Sequence, residues 1–507
     1  MKVFFPYFIA VLVLLGCTAC WKAPQPPRPD PNRFLEERCL YIALESSPSD
    51  YFLYRGQPMG FELELIESFA AFIGCDFVIL PGESLAEQWQ MLLEGRADII
   101  ASNLNITLQR TQKAAFSHPV YLTEQVLVQL KPAYLMDSSL FVTDWNELAG
   151  KEISVRRHSI FEDYLQAYNK SVPAERQIRI EKSSKTEESL LEAVARGDIS
   201  YTLVSHNKAA RFAITRPQID FHLKAGEAQP VAWALKPDAD TLLTLVNRWL
   251  DSLSSTRTIR YLYHKYYEIS PEKTVRSVKS GFRKVDSVSL SRKMAKRDML
   301  IREGLMQEED SSFIFELQRR KHKKFSANVW NGSISPFDRL LKKYSRKIPW
   351  DWRLLASLVY QESQFESHLL SQKGAIGLMQ MMPATARRYG ITVRSSAEDQ
   401  IDAGVKYIHT LYRSLPEGIP ESEQAYFVLA AYNIGLGHVL DARRLAAKYG
   451  ADPNVWYNNV ETYLELKSRP EYYRDTASRN GYANGRQTVN FVRKIDKRYM
   501  HYRNLCR

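Results

Sequence analysis

Residues 351–386, DWRLLASLVYQESQFESHLLSQKGAIGLMQMMPATA, constrain this chain more than any other stretch. Leu355, Leu358, Val359 and Glu362 recur at i, i+3, i+4 and i+7, which predicts a helix carrying its one carboxylate on the apolar stripe. Burial disfavours the ionised form, so Glu362 is expected to have a raised pKa and to stay protonated near neutral pH, as a general acid must. The same spacing also fits a helix that ends there with Glu362 turned to solvent, since perturbed carboxylates occur in structural networks too. Downstream, Gly374 and Gly377 would let the backbone approach a ligand closely, and Gln380 adds an amide that both donates and accepts.

Three motifs stand in order: Glu362-Ser363, Gly-Leu-Met-Gln at 377–380 and Ala431-Tyr432-Asn433. Together they resemble the soluble lytic transglycosylase domain, a mainly helical, lysozyme-like fold related to goose-type lysozyme, over roughly the last third of the chain. The resemblance implies cleavage of peptidoglycan glycan strands between N-acetylmuramic acid and N-acetylglucosamine, leaving 1,6-anhydro ends. It assigns Glu362 as acid and then base, Ser371 and Gln380 to the acetamido region of the substrate, and Tyr432 and Asn433 to the cleft. Ser371, Gln380 and Asn433 could each instead serve as a helix cap or a buried hydrogen bond. Phe491 departs from the family, which carries tyrosine at that place. A lysozyme-like hydrolase and a non-catalytic glycan and solute receptor are the competing readings; the receptor would be expected to lack the acid.

At the other end, Met1-Lys2 and the apolar run FFPYFIAVLVLLG read as an export signal too short to be a spanning helix. Leu14-Leu15-Gly16-Cys17 resembles a bacterial lipobox, which implies cleavage before Cys17 and acylation of it; Cys20, in a poorer context, is the alternative anchor. These features imply a cell-envelope lipoprotein, anchored in the outer membrane and facing the periplasm, with residues 17–36 as a proline-rich tether. The net charge of +12 fits nucleic acid, anionic lipid or a wall polymer equally, and export argues against nucleic acid.

From Leu40, short apolar strands (LYIAL, DFVIL, ADIIAS) alternate with helical segments, predicting an α/β unit with a parallel sheet. Residues 126–150 read as a crossing into a second lobe. Gly60-Phe-Glu-Leu-Glu64, Gly95-Arg-Ala-Asp98, Ile106 to Arg110 and Phe116-Ser-His-Pro119 resemble family 3 of the bacterial solute-binding proteins, two-lobed α/β domains of the periplasmic-binding-protein kind that close on an amino acid. By that resemblance Arg110 grips a ligand carboxylate through its planar fork, assisted by Asn105 and Ser159. Arg110 could equally form a structural salt bridge. Ser205 stands where the family places an acid for the ligand amine, which points to a small carboxylate or muropeptide ligand rather than a free amino acid.

The expected order is a signal peptide at 1–16, the tether at 17–36, a solute-binding domain at 37–268, a basic linker at 269–333 and a transglycosylase domain at 334–507. A solute-binding module followed by a transglycosylase module resembles an arrangement known among membrane-bound lytic transglycosylases, in which the first module regulates. The linker is read as a solvated spacer or a contact for anionic lipid or wall polymer. Cys39 and Cys75 flank neighbouring strands and are either bridged or two small thiols. No Cys/His spacing suits zinc and no phosphate loop is present, so neither metal nor cofactor is indicated.

Overall fold

The computed structural model describes residues 30–254, 256–268 and 333–506. Cys17, Cys20, most of the tether and nearly all of the basic linker lie outside the described residues. In chain order the strands are β1 Cys39–Leu44, β2 Phe52–Tyr54, β3 Gln57–Met59, β4 Asp76–Pro81, β5 Ile99–Asn105, β6 Ala115–Phe116, β7 Tyr121–Thr123, β8 Gln125–Leu130, β9 Glu152–Arg156, β10 Arg179–Ser183, β11 Thr202–Ser205, β12 Ile219–Asp220 and β13 Gln229–Leu235.

One compact unit draws on the described part of Met1–Glu45, on Ile66–Glu124 and on Glu227–Arg257. Its sheet runs β4-β1-β5-β13-β6, with β7 also paired to β13. The expected parallel pairing holds for β4, β1 and β5, whereas β13 runs antiparallel to β5. Nothing local to β13 encodes that direction, because its partner lies more than a hundred residues earlier. The register sets Cys39 opposite Asp76, and Cys39 and Cys75 are both free thiols, so the bridged alternative is not the one formed. Asp98 of the Gly95-Arg-Ala-Asp98 motif is fully buried, accepts from the Tyr41 N–H at 2.9 Å and pairs with Arg33 at 3.2 Å. The motif therefore anchors the fold rather than a ligand.

The other unit comprises Ser46–Leu65, Gln125–Gly226 and the described part of Thr258–Arg507. Its α/β part is the sheet β10-β9-β11-β8-β12, in which β9 is parallel to β10 and β11 while β8 is antiparallel to β11 and β12. The stretch expected as a crossing thus begins with a strand, β8. β2 and β3 form a hairpin.

The rest of this unit is helical. Trp352–Ser363 starts at the N-cap Asp351, whose carboxylate accepts from the Arg353 N–H, and Ala397–Arg413 starts at a Ser396/Asp399 capping box. The Ser335-Pro336 pair, a sequence typical of a helix start, stands just before the first turn without opening it. Asp338 instead gathers the N–H groups of Ile334 and Ser335, each at 2.8 Å, and opens the helix Asp338–Ser345. Leu355, Leu358, Val359, Phe427, Val489 and Val492 form the centre of one apolar core in which the helices Trp352–Ser363, Glu421–Ile434 and Gly485–Leu505 meet.

A buried ion pair links the helix Leu436–Lys448 to the end of the helix Glu461–Leu466. Lys467 donates to Asp441, both side chains being wholly buried, and Asp441 also accepts from the N–H groups of Arg479 and Asn480 at 2.9 and 2.8 Å. Burial alone would raise the Asp441 carboxyl, but these donors hold it down at about 2. Arg444 also pairs with Asp441, so Lys467→Met removes one of several donors to the carboxylate and should lower the unfolding free energy by about 1–3 kcal/mol in a urea titration.

Candidate active site and carboxylate site

Glu362 sits in the last turn of Trp352–Ser363, on the stripe shared with the buried Leu355, Leu358 and Val359. It keeps a window to solvent but is otherwise closed in by protein, and this burial pushes its carboxyl up to about 8. At neutral pH the group is therefore mostly protonated and still reachable, which is the condition for donating a proton to a bound molecule. Its neighbour Ser363 does not face the opening; the hydroxyl is buried and donates to the Val359 carbonyl one turn back, at 3.1 Å.

The helix ends on two residues with left-handed backbone, Gln364 at φ 53° and Phe365 at φ 63°. Non-glycine residues pay for this conformation in local sterics and hold it only where the surroundings fix it.

The loop at 371–381 is built by hydrogen bonds to itself. Ser371 Oγ accepts from the Ala375 N–H at 2.8 Å, and Gln380 Nε2 donates to the carbonyls of Leu369 and Gly377 at 3.0 and 2.8 Å. Ser371 and Gln380 thus shape the loop as well as being available to line it. Gly377 does not make room for a ligand. A Cβ there would lie 2.1 Å from Gln400 Oε1, and that oxygen accepts from the Leu378 N–H at 2.7 Å. Gln400 Nε2 donates in turn to the carbonyls of Ser367 and Ser395, so this one buried amide fastens the loop to the helix Ala397–Arg413. Sequence reasoning missed Gln400. It stands on a buried stripe with Ala403 and Gly404, the same signal that marked Glu362.

Tyr432 reaches the loop as well, its hydroxyl donating to the Met379 carbonyl at 2.7 Å. Burial first, and then the Coulombic effect of Glu362, push this phenol well above its usual range. Its ring stands 5.2 Å from that of Tyr407, which is 6.1 Å from Tyr389. Tyr407 and Tyr389, which sequence reasoning missed, extend Tyr432 into a row of aromatic rings. Asn433 is exposed and its Oδ1 accepts from the Thr488 hydroxyl at 2.7 Å, which ties the motif to Gly485–Leu505. Phe491 on that helix is buried in the core, with no hydroxyl to contribute.

In the first unit, Arg110 lies on the helical turn Leu108–Thr111, capped by Thr107, and its Nη1 donates to the Asn105 carbonyl at 2.9 Å. Asn105 is buried, and its Nδ2 has no hydrogen-bond partner among the described residues. A buried amide donor left open costs about 1–3 kcal/mol, so this position favours an incoming acceptor. Ser159, in the second unit, is the N-cap of Ile160–Ser171: its hydroxyl accepts from the Glu162 N–H and donates to the Arg156 carbonyl. Ser205 ends β11 immediately before the helix His206–Ala213.

Residues 40–269 match the family of bacterial extracellular solute-binding proteins, family 3, and residues 339–455 match the transglycosylase SLT domain. A membrane-bound lytic murein transglycosylase F of Pseudomonas syringae pv. tomato is 30% identical over 500 residues, covering 97% of this chain and 88% of that relative. The chain belongs to the membrane-bound lytic murein transglycosylase F family. Its counterpart in Desulfosudis oleivorans is 29% identical over 457 residues, 90% of this chain and 88% of the relative. Among solved structures, an ancestral arginine-binding protein bound to arginine aligns with 45% of this chain and 98% of its own, at 19% identity and a TM-score of 0.40.

For a member of the lytic murein transglycosylase F family, the architecture is thus a periplasmic-binding-protein-like α/β domain followed by a mainly helical, lysozyme-like domain. The raised carboxyl has a consequence for stability. Because the folded pKa of Glu362 exceeds the ordinary 4.5, the stabilisation linked to its proton is complete below 4.5 and lost as pH rises through about 8. Glu362→Gln cannot ionise, so the melting temperature of the variant minus that of the wild type should grow from pH 5 to pH 8.5, as followed by calorimetry.

Proposed function

We propose that this protein cleaves the β-1,4 bond between N-acetylmuramic acid and N-acetylglucosamine in peptidoglycan without water, leaving 1,6-anhydro-muramic acid ends. The observation that carries the reading is Glu362 at the end of an apolar helix, partly open to solvent and otherwise enclosed by packing that raises its carboxyl. The protonated carboxyl donates to the glycosidic oxygen as the bond to C1 breaks. The acetamido carbonyl oxygen of the muramic acid supports C1 on the opposite face. The resulting carboxylate then accepts the proton of the 6-hydroxyl as that oxygen bonds to C1, which restores the acid. One carboxyl therefore serves both steps, in the manner of the substrate-assisted exceptions to the two-carboxylate scheme. In this reading Ser371, Gln380, Tyr432 and Asn433 line the glycan site.

Glu362→Gln keeps the size of the side chain and loses the transferable proton. It should abolish product, a loss on the order of 10²–10⁴-fold, when digested sacculi are examined by mass spectrometry. Anhydro ends from the wild type support the transglycosylase; reducing ends would make it a hydrolase, and an uncut polymer a receptor.

The domain boundaries that go with this reading are 37–268 for the solute-binding domain, 269–333 for a linker and 334–507 for the catalytic domain. The protein resides in the cell envelope. Acylation of Cys17 after removal of residues 1–16 would hold it in the outer membrane, with both domains in the periplasm.

The first domain, in a regulatory role, takes a carboxylate at Arg110 with help from Asn105 and Ser159. With Ser205 in place of an acid, an ammonium would be desolvated without a counter-charge, which is costly. Acylated or peptidic carboxylates from wall turnover should therefore bind the full-length protein at least tenfold more tightly than free amino acids, and Arg110→Ala should remove that binding. Isothermal titration against both ligand classes is the measurement; tight, Arg110-independent binding of a free amino acid contradicts it.

A further inference from the structure

The β2–β3 hairpin of the solute-binding region belongs to the same compact unit as the catalytic helices, and its tip meets the helix that carries Glu362. Arg55 and Gly56 turn the hairpin with φ of 51° and 75°, the two-residue turn in which both central residues are left-handed. A Cβ at Gly56 would stand 2.6 Å from the Phe365 ring, 2.9 Å from the Tyr360 ring and 3.1 Å from the Tyr502 hydroxyl. Glycine is thus required here by contact as well as by backbone. The Tyr502 hydroxyl donates to the Gly56 carbonyl, Leu53 joins the core of the catalytic helices, and Tyr51 meets His501 Nδ1 at 2.9 Å.

Tyr360 lies two residues before Glu362, and Phe365 is the second member of the left-handed pair that follows it. The rings of Tyr360 and Phe365 contact each other edge to face at 5.7 Å. A strained pair of this kind persists only where its surroundings over-determine it. The hairpin tip is packed against the ring of one member of the pair.

We propose that the hairpin tip at Gly56 is a positioning element for the catalytic acid: seated against Tyr360, Phe365 and Tyr502, it holds the turn at Gln364 and Phe365 and so fixes the end of the helix on which Glu362 stands. The inference rests on Glu362 being the acid of the reaction proposed above. Withdrawing the tip lets the last turn relax, moving the carboxyl away from the glycosidic oxygen and admitting water around it.

The test uses the full chain as wild type, Gly56→Val, Tyr502→Phe, Gly56→Ala and Gly56→Ala combined with Phe365→Leu. Two readouts are taken: amide hydrogen exchange of residues 362–369 by mass spectrometry, and steady-state release of anhydro products from sacculi. Gly56→Val should speed exchange at 362–369 by about tenfold or more while the helix Glu421–Ile434 keeps wild-type protection. Its kcat should fall by about tenfold, the order expected when a reacting group shifts by a fraction of an ångström, with KM within about twofold of wild type. Tyr502→Phe, which removes only a hydroxyl, should act in the same direction more weakly. Phe365→Leu relieves the nearest ring contact but neither the Tyr360 contact nor the left-handed backbone, so it should restore only part of the kcat lost in Gly56→Ala.

Unchanged exchange at 362–369 in both Gly56→Val and Tyr502→Phe overturns the inference, as does faster exchange with unchanged kcat. A general loss of protection in Gly56→Val leaves Tyr502→Phe to decide. A wild type that releases no anhydro product refutes the reaction instead, and the exchange data then decide alone whether the hairpin holds the turn.

Discussion

Keeping a carboxyl neutral at an opening in an apolar core is the constraint on which the rest of the catalytic region depends. Desolvation raises the Glu362 carboxyl to about 8, with burial and no neighbouring charge as its cause. A charge partner can hold a pKa through modest rearrangement, because Coulomb energy falls slowly with distance; desolvation is lost as soon as water enters. Packing around the acid is therefore part of its chemistry. The tertiary devices nearby serve that end: Gln400 fastens the loop at 371–381 from behind, Tyr432 closes on that loop through Met379, and the hairpin tip meets the helix end.

How far this was legible in the sequence depended on the range of the interaction. Glu362 was readable because four residues at helical spacing state by themselves that a carboxylate shares a face with leucine and valine. The strands β1, β4 and β5 were readable as short apolar runs between helical segments. The directions of β8 and β13 were not, since each is set by a partner distant in sequence. The partner of Asp441 and the seat of Gly56 were equally hidden: which group a buried charge meets, and what makes a glycine necessary, are set by a neighbour distant in sequence.

The supporting residues divide along the same line. Ser159, Ser371 and Gln380 each make the local bond that competes with a role in binding, as a cap or as a loop clasp. Short polar side chains near turns satisfy the backbone first, and a motif cannot distinguish that use from ligand contact. Asn105 differs, because its buried Nδ2 has no partner among the described residues, and burial without a partner is a cost that folding alone does not explain. Gly377 reverses the usual reading of a motif glycine: it admits the amide of Gln400 rather than a ligand.

In the proposed reaction, a single carboxyl raised by burial suits the two steps better than a pair would. As an acid it must give up a proton to an ether oxygen, and as a base it must take one from a hydroxyl, so a pKa near neutrality spreads the difficulty over both steps. A second carboxylate close by would split the two pKa values and commit each group to one role. Asp496 shows how the fold treats another half-buried carboxyl. Burial raises it, and the hydroxyls of Tyr457 and Tyr426, at 2.8 and 3.5 Å, lower it by donating to it. That carboxyl is engaged by its neighbours, whereas Glu362 is tuned by enclosure alone, which leaves its oxygens available to the substrate and makes its proton answerable to how tightly the site is packed.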